Sequence, residues 1–222
     1  MVGRHQESAE DTRRLIQQGR MSPAAFRAAL LSVPPAARDP WLDQVLGLGE
    51  LPEDGPELPR GCVPYLPCAV DVLLRMVDEA PIGASDVFVD VGSGMGRAAM
   101  FVHLLTGAGA TGIEGQPALA RAARDVAGQL GLSRVSFING DATELTTFIP
   151  IGSVFLFYCP FGGARLAKVL AELEALARTR TLRICSFDLP PLRCPWLSLE
   201  TQHSDGVAIY RSTVHDGACQ GK

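Results

Sequence analysis

Residues 86–100 read DVFVDVGSGMGRAAM. A run of branched and aromatic residues, Val87, Phe88 and Val89, leads to Asp90 and Val91. Gly92, Gly94 and Gly96 follow at every second position, and a helix-forming run opens at Arg97. An apolar strand, a glycine-rich turn and a helix, in that order, open a βαβ unit. In an open α/β sheet, ligands bind beyond the carboxyl ends of the strands. The glycine turn sits at such an end. There, bare backbone lets N–H groups approach a ligand, and the helix start adds a favourable dipole.

The same texture continues outward. GRAAMFVHLLTG (96–107) reads as a helix and TGIE, ending at Glu114, as a strand. PALARAARDVAGQLG (117–131) is a helix, RVSFING (134–140) a strand and GSVFLFYCPF (152–161) a buried strand. ARLAKVLAELEALAR (164–178) sets Leu166, Val169, Leu170, Leu173 and Leu176 on one stripe, and TLRICSFDLPP (181–191) is a further strand. WLSLETQ and VAIYRSTV form a closing pair with no helix between them. Upstream, CAVDVLLRMVDEA puts Val70, Leu73, Leu74 and Val77 on one helical face. Alternating strands and helices predict an α/β fold. The expectation is a Rossmann-like, doubly wound, mostly parallel seven-stranded sheet with a closing antiparallel pair and a short helical N-terminal extension.

That extension reads as two helices. SAEDTRRLIQQG has Ser8 as a cap and Gly19 as a stop. SPAAFRAALLSV has Ser22 as a cap before Pro23. Pro34, Pro35 and Pro40 are expected to end the helical part, and residues 48–61 read as a Pro/Gly-rich linker. The expected division is an extension and linker over 1–60, a ligand-binding domain over 61–216 and a tail over 217–222.

Composition narrows the function. The chain has 222 residues, 47% of them hydrophobic, and a net charge of −4. That supports one substantial core and speaks against general nucleic-acid binding, which needs a basic face. The first twenty residues lack the apolar core of a signal peptide, and no run is long enough to span a bilayer. The six cysteines show no CxxC and no zinc spacing with the four histidines, so no metal site is expected. Such thiols suit a reduced, cytoplasmic protein.

Three acids end consecutive strands: Asp90, Glu114 and Asp141. Glu114 lies one βα unit after the glycines, where a carboxylate accepts from ribose hydroxyls. Both NAD and S-adenosylmethionine satisfy that. Asp141, followed by Ala142 in NGDA, is placed to accept from an adenine amino group. A row of acids suits a ligand with ammonium and sulfonium groups and repels a pyrophosphate.

DVGSGMG, GIEG and NGDA resemble the cofactor motifs of class I, seven-strand methyltransferases that use S-adenosylmethionine. YLPCAVDVLLRMV, GMGR and the closing RICSFDLPPLRCPW…VAIYRS are similar to one subgroup of that class. It contains bacterial proteins, the lysine methyltransferases of the ATP-synthase c-subunit and, more distantly, the non-SET histone lysine methyltransferases. The resemblance covers about residues 62–212. It implies that Gly92, Ser93, Gly94 and Gly96 line the methionine part of the cofactor, with Asp90 facing its amino group. Glu114, with Gln116 nearby, would hold the ribose. Asp141 and Ala142 would read the adenine, and Tyr65 would close over the methionine carboxylate. The product would be S-adenosylhomocysteine.

The methyl acceptor belongs at the end of VFLFYCPFGG. Relatives that methylate nitrogen carry Asn or Asp, two prolines and an aromatic there. This chain has Tyr158, Cys159, Pro160 and Phe161. Tyr158 is a candidate to bond the acceptor or the cofactor amine, Phe161 to form an apolar wall, and Asp188 to deprotonate an ammonium acceptor. Packing at strand ends accounts equally for the two aromatics. Cys159 has no visible base, and His103 lies inside a helix as a core residue. The basic run Arg165, Lys168, Arg178, Arg180 and Arg183 reads as a solvated helix face. The acceptor classes in view are a protein lysine amine, a peptide and a small molecule. A non-catalytic S-adenosylmethionine-binding module and a nicotinamide-dependent oxidoreductase are the competing readings.

Overall fold

The computed structural model describes residues 2–49, 65–144, 151–158, 160–203 and 206–213. Three helices open the chain: α1 (Val2–Gln17), α2 (Pro23–Leu31) and α3 (Pro35–Leu46). The order then runs α4 (Val70–Glu79), β1 (Val87–Val91), α5 (Arg97–Thr106), β2 (Gly109–Glu114), α6 (Pro117–Gln129) and β3 (Val135–Asn139). After a 3-10 turn at Ala142–Glu144 come β4 (Val154–Tyr158), α7 (Gly163–Ala177), β5 (Arg183–Phe187), β6 (Leu197–Gln202) and β7 (Val207–Ser212).

The seven strands form one sheet in the order β3-β2-β1-β4-β5-β7-β6. β1 pairs in parallel with β2 and β4, and β7 lies antiparallel between β5 and β6. The doubly wound sheet with its antiparallel close is as expected. The order reverses between β1 and β4, so the crevice beyond their carboxyl ends is the switch point at which such sheets take ligands.

Strand residues alternate between two cores. Phe88, Val154 and Leu156 face one, with α2 to α6; Val89, Phe155 and Phe157 face the other, with Val169, Leu173 and Ala177 of α7. Phe26, Leu30, Trp41 and Leu42 of the N-terminal helices belong to the first core, together with sheet residues. Phe26 packs edge-on against Phe101 of α5, with ring centroids 6.1 Å apart.

Local chemistry explains the helix starts. Ser22 caps α2 by accepting from the Ala25 N–H at 3.2 Å. Two expectations need correction. Ser8 does not cap the first helix, which runs through it from Val2 and buries Ala9, Thr12 and Ile16 along one stripe. Nor do Pro35 and Pro40 end the helical part. Pro35 starts α3 at the one position where a missing N–H costs nothing, and Pro40 is carried inside the helix. The expected linker lies almost wholly outside the described residues.

Candidate functional site

The glycine turn has three residues in the left-handed region: Gly92 (φ 80°), Gly94 (φ 52°) and Gly96 (φ 77°). Contacts as well as torsions exclude side chains. A β-carbon on Gly94 would lie 2.0 Å from the Tyr65 ring, and one on Gly96 2.2 Å from the Phe137 ring. Tyr65 therefore lies directly on Gly94.

The amides of this turn do not behave as expected. Gly92 and Ser93 both donate to the Ile113 carbonyl, at 2.9 and 3.0 Å. Gly94 donates to Glu114 Oε2 at 2.8 Å, and Gly96 to the Ser93 carbonyl at 2.8 Å. The bare backbone thus serves the protein's own acceptors, and these four donors are not aimed at a ligand. The Ser93 side chain is buried against Gly112 of β2 rather than in the crevice.

The three acids stand at the ends of β1, β2 and just past β3 as expected, each in a different environment. Asp90 is 4% exposed. It accepts from the Ala99 N–H in the first turn of α5. It thereby replaces the side-chain cap that Gly96 cannot offer. Burial, reinforced by the charge of Glu114, pushes its pKa up to about 7. Glu114 is buried, with Oε2 on Gly94 N–H and Oε1 on Gln116 N–H at 2.7 Å. Asp141 is exposed, and its Oδ1 accepts from Thr143 N–H at 2.9 Å and from Arg165 at 2.7 Å. Those bonds outweigh its partial burial and hold its pKa below the usual carboxylate range. Ala142 is buried beside it.

At the end of β4, Tyr158 stacks on Phe187 of the neighbouring strand, with centroids 4.9 Å apart and planes at 14°. Phe161 is buried, and the Arg165 guanidinium lies 5.6 Å from its ring centre. Asp188 is exposed at the end of β5 in the left-handed region (φ 52°), its N–H bonded to the Gly206 carbonyl. Cys159 lies outside the described residues. His103 bonds the Ala108 carbonyl at 2.7 Å, a structural contact, and His203 pairs with Glu79 at 2.6 Å.

The basic run is more than a solvated face: Arg165 pairs with Asp141, Arg178 with Glu174 and Arg183 with Glu200. Sequence reasoning did not place Arg97. It is 3% exposed and bonded to Asp39 and Asp43. The signal was an acid pair four residues apart, which shares a face only once residues 35–46 are read as a helix.

No protein-family model and no curated protein matches the sequence. Solved structures do match. An RNA methyltransferase from Salinibacter ruber, in complex with S-adenosyl-L-homocysteine, superposes with a TM-score of 0.53 at 24% identity, over 70% of this chain and 98% of that one. The putative methyltransferase yhhF from Escherichia coli gives 0.53 at 20%, over 71% and 91%. This chain has the class I methyltransferase fold. A putative caffeoyl-CoA O-methyltransferase from Staphylococcus aureus shares it, at a TM-score of 0.51, 13% identity and coverage of 68% and 86%. At these identities the likeness is one of fold, and it gives no support to the narrower resemblance to lysine methyltransferases. Among the described residues, no helix is long and apolar enough to cross a membrane, and no cluster of acids, histidines or cysteines could hold a metal.

Proposed function

We propose that this protein is an S-adenosylmethionine-dependent methyltransferase. One observation carries the reading: carboxylates stand at or just past the ends of three neighbouring strands, beside a turn in which the Gly92, Ser93, Gly94 and Gly96 amides bond the protein's own acceptors. A pyrophosphate needs those donors and would meet the acids, which weighs against a nicotinamide cofactor. A ligand with an ammonium, two ribose hydroxyls and an adenine amine presents donors and positive charge to the same groups.

The residues present fit that ligand. Asp90 would take the ammonium. Glu114, which holds the Gly94 and Gln116 N–H groups at the end of β2, would take the ribose hydroxyls. Asp141 would accept from the adenine amine beside Ala142, with Arg165 bracing it. Gln116 borders the ribose side, and Tyr65 covers the methionine end above Gly94. When bound, the cofactor supplies an electrophilic methyl group. The chain's part is to align the acceptor and exclude water. Tyr158 and Phe161 would wall the acceptor, and Asp188 is the base candidate for an ammonium.

For the acceptor we retain a protein lysine amine, supported only by motif resemblance. A small molecule or peptide is the alternative, supported by the missing amide at Tyr158–Phe161. Isothermal titration with S-adenosylhomocysteine tests the cofactor. Micromolar binding, weakened at least about tenfold in Asp141→Ala, is expected from losing a charge-assisted bond. Absence of binding to the wild type would sink the reading, and transfer of labelled methyl to a candidate acceptor would separate an enzyme from a binding module.

A further inference from the structure

The glycine turn is tied to a helix outside the crevice. Arg97 follows Gly96 and starts α5. Its Nε donates to Asp43 at 2.6 Å, its Nη2 to the Asp39 carboxylate at 2.7 Å, and its Nη1 to the Cys68 carbonyl. Asp39 Oδ1 also accepts from the Val70 N–H at 2.9 Å, and Arg38 pairs with Asp71 at 2.6 Å. One guanidinium therefore joins three pieces: α3, the segment that carries Tyr65, and the end of the turn on which Tyr65 lies.

A guanidinium offers five donors in one rigid plane. The three pieces cannot shift independently without unpairing a buried charge, which is strongly unfavourable. Surface ion pairs elsewhere, such as Arg14–Asp11, impose no such constraint.

We infer that α3 is a positioning element of the cofactor crevice, with Arg97 transmitting its placement to Tyr65 above Gly94, so that ligand binding and the order of the N-terminal helices are linked. The inference rests on the cofactor reading proposed above. Linkage is reciprocal: if α3 shapes the crevice, a ligand in the crevice must steady α3. A helix that merely adds stability would gain only the protection that binding gives the whole folded chain, in step with α6.

Hydrogen exchange of the full chain, with and without S-adenosylhomocysteine, separates these cases. The expected result is slower exchange at residues 90–97 and also across 35–46, by at least about threefold more than at α6. In Asp43→Ala, protection at 90–97 should persist while protection at 35–46 is lost, and the dissociation constant should rise about tenfold. Asp43→Glu should restore the remote protection. Protection at 35–46 no greater than at α6 in the wild type would overturn the inference. A chain that binds no S-adenosylhomocysteine would remove the cofactor reading itself. A ligand-free comparison then decides the coupling. Asp43→Ala must speed exchange at 92–97 about tenfold while α6 keeps its rate, and an unchanged turn would refute it.

Discussion

In the proposed site, Asp90 is the group whose titration sets the pH response. Its folded pKa of about 7 lies above the ordinary value of 3.8 because the carboxyl is buried and faces Glu114. The native state thus holds this proton more tightly than the unfolded chain. The resulting stability is complete below about pH 4 and is lost as the pH rises through about 7. A bound ammonium favours the charged form and expels the proton. Affinity for S-adenosylhomocysteine should therefore climb between about pH 6 and about pH 8, and the binding enthalpy should vary with the ionisation heat of the buffer. Asp90→Asn should flatten both, and a flat profile in the wild type would contradict this account. Gly94 makes a second prediction. Alanine there adds left-handed strain of about 1–2 kcal/mol and drives a β-carbon into the Tyr65 ring. Thermal unfolding of Gly94→Ala should come several degrees lower, with cofactor affinity falling further than the stability loss explains.

At the scale of the element, α3 is the instructive case. Ala69 cannot cap α4, and Asp39 does so from another helix. Asp39 also holds one side of Arg97. Asp39→Ala should cost about 3 kcal/mol, because it strips a cap and half-unpairs a buried cation. Ser22→Ala, which removes a cap alone, should cost about 1 kcal/mol. Denaturant unfolding compares the two, and equal losses would reduce Asp39 to an ordinary exposed acid. The prolines hid this helix in the sequence. An internal proline costs about 3 kcal/mol, while each fully buried large side chain returns about 1.5–3. Trp41, Leu42, Val45 and Leu46 are all buried, so packing wins. The strands and the helices packed on them were legible because apolar period and glycine stops agreed. The row of acids was legible because each ends a strand. The aim of the turn's amides was not, since it depends on Ile113 and Glu114 across the sheet. Nor were Arg97's partners, 54 and 58 residues away in sequence.

At the scale of the whole molecule, the sheet is clad unevenly. Among the described residues, one face carries α2 to α6 and the other carries α7 with the segments around Leu192 and Trp196. The N-terminal helices share the first core with the strands, so they should not melt separately. The chain's two tryptophans report the two cores, Trp41 in one and Trp196 in the other. Single-tryptophan variants, Trp41→Phe and Trp196→Phe, should unfold in guanidinium with coincident midpoints once corrected for their own stability changes. An early transition at Trp41 would mean that the extension is a separate unit.

Glu114 is clamped between two backbone amides of the protein itself. A long acidic side chain left free would surrender rotamer freedom at the moment of capture, at about 0.5–1.5 kcal/mol. Here that freedom is given up during folding. In the proposed complex, the encounter with a ribose then has no search for a side-chain pose in it, and association through this group should follow a single exponential phase. Part of the site's affinity is thus already fixed by how the chain folds between Ile113 and Pro117.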